Sequence, residues 1–175
     1  QTLFKFHDRP SAPLAEKDVL DWLRLARTDY VGPVTFYNLI EAYGTAKAAL
    51  EALPELSRRG GRKTPLTPPP LAKIEKEYAA LKKLGGRFIT AHDERYPLAL
   101  TATDDAPPVI SVLGNPDILN KPCVGIVGAR NASISGRKIA AQIASELGQN
   151  DHIVVSGMAR GIDTAAHEGS LRTGT

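Results

Sequence analysis

Two glycine turns, each carrying an arginine, are the part of this sequence best suited to bind an anion. The first turn, "GARNAS", occupies residues 128–133, and the second, "SGMARG", occupies residues 156–161. Each turn follows an apolar run and precedes a helical pattern, so backbone N–H groups and the positive end of a helix dipole are expected to face a ligand there. The guanidinium groups of Arg130 and Arg160 can bind a phosphodiester through two hydrogen bonds or stack on an unpaired base. The two turns therefore predict a site for a repeating phosphate backbone.

Two simpler roles for the polar residues of these turns stay open. Ser133 or Ser135 can cap the following helix, or can donate its hydroxyl to a phosphate oxygen. Both arginines can instead pair with Asp163 or Glu168, which would hold the loops together without any ligand.

The glycine spacing argues against a dinucleotide cofactor. Gly125 and Gly128 are separated by two residues, which does not give the G-x-G-x-x-G pattern, and the second strand ends in Ser156 and Gly157 with no Asp or Glu placed to hold a ribose diol. The phosphate-binding pattern G-x-x-x-x-G-K-[ST] is also missing. We expect no cofactor, although a single nucleotide stays open as a ligand.

Neither catalysis nor metal binding is expected. His167 lies one helical turn after Asp163, which favours a simple side-chain pair, and Ser156 lacks the G-x-S-x-G turn of a hydrolase nucleophile. Four scattered histidines and one cysteine match no zinc spacing. We therefore assign no catalytic residue and no metal ligand.

Alternating strands and helices are predicted to position the two turns. The pattern gives a strand at 123–128, a helix at 134–147, a strand at 152–156 and a helix at 163–173, which indicates parallel β-α-β winding. The first strand is apolar throughout, so we expect burial on both faces, with Cys123 as a buried and inert thiol. Because such a sheet normally has more strands, we expect this to be the first part of a larger fold.

The first third of the chain is predicted to be a small all-α domain, residues 14–62. Helical patterns cover residues 15–28, 32–44 and 45–54, with Pro33 in a first turn, Gly44 and Thr45 at helix ends, and a stop before Pro54. A segment rich in glycine, proline and basic residues follows at 57–70, and we place a linker at 63–70. An α/β domain then occupies residues 71–175 and begins with a helix at 71–84.

The composition limits the class of protein. The chain has 175 residues, a net charge of +3 and a single cysteine. It contains no apolar run of about 18 residues, so no membrane span is expected. The first residues lack the basic-then-apolar order of a secretory signal, and one cysteine excludes an internal disulfide. We expect a cytoplasmic protein.

The stretch "VGIVGARNASISGRKIA", followed by "VVSGMARGIDTAAHEGSLRTGT", resembles the DNA-processing protein A family (DprA, also called Smf). The upstream segments "DERYPLAL" and "APPVISVLGN" resemble the part of the family that leads into this core. The resemblance covers roughly residues 85–175, and the helical first third is compatible with the family's variable N-terminal module, which is SAM-like or helix-hairpin-helix-like.

The resemblance implies an extended Rossmann-like fold and a homodimer that binds single-stranded DNA without sequence preference. It also implies that the protein protects incoming strands during natural transformation, loads the RecA recombinase onto them, and is not an enzyme. Carried over by position, the arginine of the family's G-[SA]-R turn is Arg130; Ala129 stands where serine is frequent, which removes one possible donor. The positions expected to contact DNA are Gly128, Arg130, Ser133, Gly157, Arg160 and Gly161.

An enzyme of similar fold is the alternative hypothesis. Rossmann-like phosphoribohydrolases cleave nucleoside monophosphates at the glycosidic bond, and those of the cytokinin-activating type carry P-G-G-x-G-T-x-x-E with a catalytic glutamate. That segment is not found among these 175 residues.

Overall fold

The computed structural model describes residues 13–60 and 64–174 in two compact units, one ending at Pro116 and one beginning at Asp117. The expectation that no secretory signal opens the chain concerns residues 1–12, which lie outside the described residues. Two cations of the basic segment, Arg62 and Lys63, lie outside them as well.

Three helices form the core of the first unit: α1 (Glu16–Ala26), α2 (Pro33–Tyr43) and α3 (Ala46–Arg59). The predicted helix ends are confirmed, because Pro33 opens α2, Gly44 follows it at a φ of 75°, and the Thr45 hydroxyl accepts a hydrogen bond from Ala48 N at 3.2 Å. The core is apolar and includes Trp22, Leu23, Leu25, Phe36, Ile40, Ala49, Leu50 and Leu53.

The prediction that the third helix stops before Pro54 is wrong, since α3 continues through this residue to Arg59. Proline cannot donate to the carbonyl four residues earlier, which weakens a helix. Here the Ser57 hydroxyl and Arg58 Nε both donate to Pro54 O, at 3.2 and 3.3 Å. Leu53 and Ser57 are also buried on one face of the helix, so packing outweighs the local penalty.

The described part of the predicted linker, residues 64–70, has no helix or strand but lies against the helices. Leu66 N donates to the Ser57 hydroxyl at 2.8 Å, and Arg24 Nε donates to Pro69 O at 2.8 Å. These contacts hold the segment within the first unit. The predicted domain boundaries at 62 and 71 stay a prediction.

The rest of the first unit consists of two helices and an antiparallel strand pair: α4 (Leu71–Lys83), β1 (Arg87–Thr90), α5 (Leu98–Thr101) and β2 (Val109–Val112), with Arg87 opposite Val112. In the turn after β1, burial of Asp93 acts to raise the pKa of its carboxyl. The hydrogen bonds from Arg95, the shortest at 2.6 Å, outweigh burial and hold that pKa below its usual value.

The second unit is a β-α-β-α segment made of β3 (Cys123–Gly125), α6 (Ile134–Gln149), β4 (Ile153–Val155) and α7 (Ile162–Leu171). Strands β3 and β4 are parallel neighbours, with Cys123 opposite Ile153 and Gly125 opposite Val155. The predicted parallel winding is confirmed. None of the helices in the described parts of the chain is long and apolar enough to cross a membrane.

The expectation that the first of these strands is buried on both faces is wrong. Cys123 is exposed and therefore is not a buried thiol, and Val155 on the neighbouring strand is 52% exposed. Within residues 117–174 the sheet has only these two strands, so β3 has one edge without a neighbour. On α6, Ala140 and Ala144 are buried, whereas Ile139 and Ile143 are exposed.

Candidate nucleic-acid interface

The two glycine turns lie side by side and touch. We call residues 126–133, between β3 and α6, the first arginine loop, and residues 156–161, between β4 and α7, the second arginine loop. Ile162 N donates to Ala129 O at 3.3 Å, and the Ser156 hydroxyl donates to Ile126 O at 2.7 Å. The loops follow parallel neighbouring strands, and they therefore share the carboxyl edge of the sheet, where such folds bind ligands.

Two of the predicted site glycines make this contact possible. A Cβ on Gly161 would lie 2.6 Å from Arg130 O and nearer still to Ala129 O, and the φ of Gly161 is 85°. A Cβ on Gly128 would lie 2.7 Å from the Ile162 side chain. Real Cβ atoms do not approach so closely, so each loop needs glycine where it meets the other.

Arg130 and Arg160 are both exposed at this edge. The alternative left open by the sequence, that they pair with Asp163 or Glu168, does not hold: across residues 13–60 and 64–174, neither guanidinium forms a salt bridge or a side-chain hydrogen bond. Two cations without protein partners are thus available to an external anion.

The buried Asp163 carboxylate binds backbone amides of the second arginine loop. Its side chain is only 5% exposed, and its Oδ2 accepts hydrogen bonds from Gly157 N at 3.0 Å and Ala159 N at 3.4 Å. This carboxylate also lies in the first turn of α7, where the helix dipole favours negative charge. A Cβ on Gly157 would lie 3.0 Å from Asp163 Oδ2, so this carboxylate would have to shift slightly to accept a larger residue there.

The predicted pair between Asp163 and His167 does not form, since the carboxylate faces the loop amides instead. His167 Nε2 is buried without a hydrogen-bond partner among the described residues. Ser156, the one nucleophile considered from the sequence, donates its hydroxyl to Ile126 O. Ser156 and Asp163 are therefore bonded to backbone groups, and the three residues do not form a hydrogen-bonded Ser–His–Asp array.

Ser133 caps α6, because its hydroxyl oxygen accepts a hydrogen bond from Gly136 N at 3.1 Å. The capping role left open by the sequence is confirmed. Ser133 is exposed, and its hydroxyl hydrogen is still able to reach a phosphate oxygen.

Replacing Asp163 with alanine is expected to loosen the second arginine loop. Two backbone donors would lose a charged acceptor, which costs about 2–3 kcal/mol in the free energy of unfolding. Hydrogen–deuterium exchange should show faster exchange at Gly157 and Ala159, with much smaller changes in α1–α3. Asp163→Asn is the matched control, since it keeps one carbonyl oxygen and should lose less protection; equal exchange in all three proteins would contradict this role.

Sequence reasoning missed two further cations. Arg137 and Lys138, in the first turns of α6, line a groove of about 500 Å³ between α6 and α7, and Arg160 lines the same groove. The signal was present in the letters "SGRKIA", but helical periodicity alone does not reveal which exposed face meets a neighbouring helix.

The chemistry available at this edge is that of cations and backbone amides. The described residues hold no group of three or more His, Cys, Asp or Glu side chains that could bind a metal ion. Residues 117–175 also contain no Phe, Tyr or Trp. A nucleic acid bound here would be held through its phosphates, not by stacking of its bases on aromatic rings.

Two family models match this chain, one in its N-terminal half and one in its C-terminal half. The family described as DNA recombination-mediator protein A matches residues 87–175, which is slightly more than half of the sequence. A second family, the DprA-like N-terminal HHH domain, matches residues 16–80. The predicted helix-hairpin-helix-like character of the first helices is thereby confirmed.

Individual relatives agree with this assignment. The chain is 42% identical to the DNA processing protein DprA of Streptococcus pneumoniae over 82 residues, covering 47% of this chain and 29% of that protein. It is 32% identical to the putative DNA processing protein DprA of Mycobacterium tuberculosis over 168 residues, covering 86% of this chain and 42% of that protein.

A solved structure shares the fold. The X-ray structure of DNA processing protein A (DprA) from Streptococcus pneumoniae superposes with a TM-score of 0.60 at 25% identity, covering 93% of this chain and 56% of that chain. The chain thus spans less than two thirds of these relatives. The touching arginine loops lie within the matched region 87–175, and the chain belongs to the DNA recombination-mediator protein A family.

Proposed function

We propose that this chain binds single-stranded DNA without sequence preference, through phosphates held over the two arginine loops. One observation carries the proposal: two glycine loops at one sheet edge touch, while Arg130 and Arg160 stay exposed and unpaired within the described residues. Family membership supports a role in DNA recombination. The lack of Phe, Tyr and Trp in residues 117–175 supports binding through the sugar–phosphate backbone, which every sequence shares.

Replacing Arg130 with alanine is expected to weaken binding of a thymidine oligonucleotide roughly ten-fold, as loss of about 1.4 kcal/mol predicts. Neutralising one fewer phosphate should also lower the slope of log affinity against log salt by about 0.7. Fluorescence anisotropy at several salt concentrations measures both quantities.

Two further variants make this test specific. Arg172 is exposed at the end of α7, so Arg172→Ala removes the same charge away from the loops and should change binding little. Arg130→Lys should recover most of the salt slope but not the full affinity, because lysine keeps the charge and loses the planar fork. If Arg130→Ala and Arg172→Ala behave alike, or if duplex binds as tightly as single strand, the proposal fails.

The proposal extends to protection of incoming strands in transformation, loading of RecA and a homodimer. These follow from the family resemblance and not from a surface identified in this chain. Sedimentation of the full chain with and without DNA tests the dimer. Recombinase filament growth on DNA coated with a single-strand-binding protein tests RecA loading, which should be faster with this protein present and unchanged if the proposal is wrong.

A further inference from the structure

We infer that the groove between α6 and α7 is a second phosphate-binding site, which takes the part of a DNA strand next to the arginine loops. This inference rests on the proposed function, because the ligand is the same single strand. It adds the direction in which the strand continues and two contact residues, Arg137 and Lys138, that lie outside both loops.

The groove is continuous with the proposed loop site. Arg160 belongs to the second arginine loop and also lines the groove, together with Arg137 and Lys138 of α6. Three small residues, Gly161, Ala141 and Ala165, also line it, so a bound chain can come close to the helix backbones. One cation is therefore shared by the two surfaces, and a strand leaving the loops meets the other two.

The charge of the groove favours a polyanion. Three cations line it against one carboxylate, Glu168. Arg137, Lys138 and Arg160 are exposed, and within residues 13–60 and 64–174 no salt bridge engages any of them. Cations on a solvated face frequently pair with neighbouring acids along a helix, at spacings of three or four residues. These cations do not.

The shape and lining favour a segment of polymer over a small molecule. Pockets for small ligands bury most of the ligand among apolar and aromatic side chains. This groove of about 500 Å³ is lined by three exposed cations, Glu168 and small residues, with Ile134 as its one large apolar side chain and no aromatic ring. It offers contacts to phosphates and little to a base, which is the chemistry of a strand passing along the surface.

The test compares two double variants of the full chain. Arg137→Ala with Lys138→Ala removes two charges from the groove, whereas Lys121→Ala with Arg172→Ala removes two exposed charges from the same unit outside it. Thymidine oligonucleotides of about 4 and about 16 nucleotides span the range of single-strand site sizes. The groove variant should lose roughly ten-fold or more in affinity for the longer oligonucleotide and lower its salt slope by about 0.7–1.4.

The shorter oligonucleotide should bind the groove variant and the control equally, because it fills only the loops. Glu168→Gln removes the one opposing charge and should tighten binding of the longer oligonucleotide several-fold. Equal binding of both double variants to the longer oligonucleotide overturns the inference, as does an equal loss at both lengths. If the unmodified protein binds neither oligonucleotide, the proposed function itself has failed, so the two failures are distinct.

Discussion

Gly161→Ala is expected to separate the two arginine loops and to destabilise residues 117–174 by about 3–5 kcal/mol, from backbone strain and overpacking together. The new methyl group would meet Ala129 O and Arg130 O, which are backbone atoms and cannot rotate away. The φ of 85° with a ψ of −118° is also a conformation that residues other than glycine rarely adopt. Both causes act at one residue, so the effect should exceed that of a usual surface change.

The measurement must report on the second unit alone. The one tryptophan, Trp22, lies in the first unit, so its fluorescence is unsuitable. Hydrogen–deuterium exchange of α6 and α7, followed at increasing urea concentration, resolves the change within this unit. Single-stranded DNA binding should fall with it, because Arg130 and Arg160 would no longer share one edge.

Gly125→Ala is the matched control. This glycine lies in β3 of the same sheet, and a Cβ on it would meet no atom within 4 Å. Its substitution should change stability by no more than about 0.5 kcal/mol. Equal stability of the Gly161 and Gly125 variants would show that the loops do not depend on their close contact.

Gly169→Ala is expected to destabilise the packing of α6 against α7 by about 2–3 kcal/mol. Glycine inside a helix is normally improved by alanine, by about 1 kcal/mol. Here a Cβ would lie 2.8 Å from Ala141 Cα and nearer still to Ala141 O, so the helices would have to move apart. The structure therefore predicts that alanine destabilises this helix position, whereas it usually stabilises one.

Gly136→Ala supplies the comparison, since Gly136 lies near the start of α6 and its nearest neighbour is the Ser133 hydroxyl at 3.3 Å from the added Cβ. That neighbour is a side chain and can adjust, so this variant should be neutral or more stable by up to about 1 kcal/mol. Urea unfolding of both variants shows whether each substitution raises or lowers the free energy of unfolding. A stabilised Gly169 variant would contradict the close helix contact at Ala141, a residue that also lines the α6–α7 groove.

Several features followed from local sequence rules. Pro33, Gly44 and Thr45 set helix ends through interactions within four residues, and these were confirmed. The placement of Arg130 and Arg160 just after two strands followed from apolar runs followed by helical periodicity, and parallel strands bring such turns to one edge. Pro54 shows the limit, because packing of Leu53 and Ser57 outweighed a local rule.

The sequence by itself thus determined the order of helices and strands, the parallel winding and the two arginine turns, because each depends on residues close together along the chain. Only the tertiary structure decided that Gly161 meets Ala129, that Gly169 meets Ala141 and that Arg137 and Arg160 line one groove. It also decided that Cys123 is exposed. Contacts and burial depend on which distant segments pack together, and short-range residue preferences do not specify that packing.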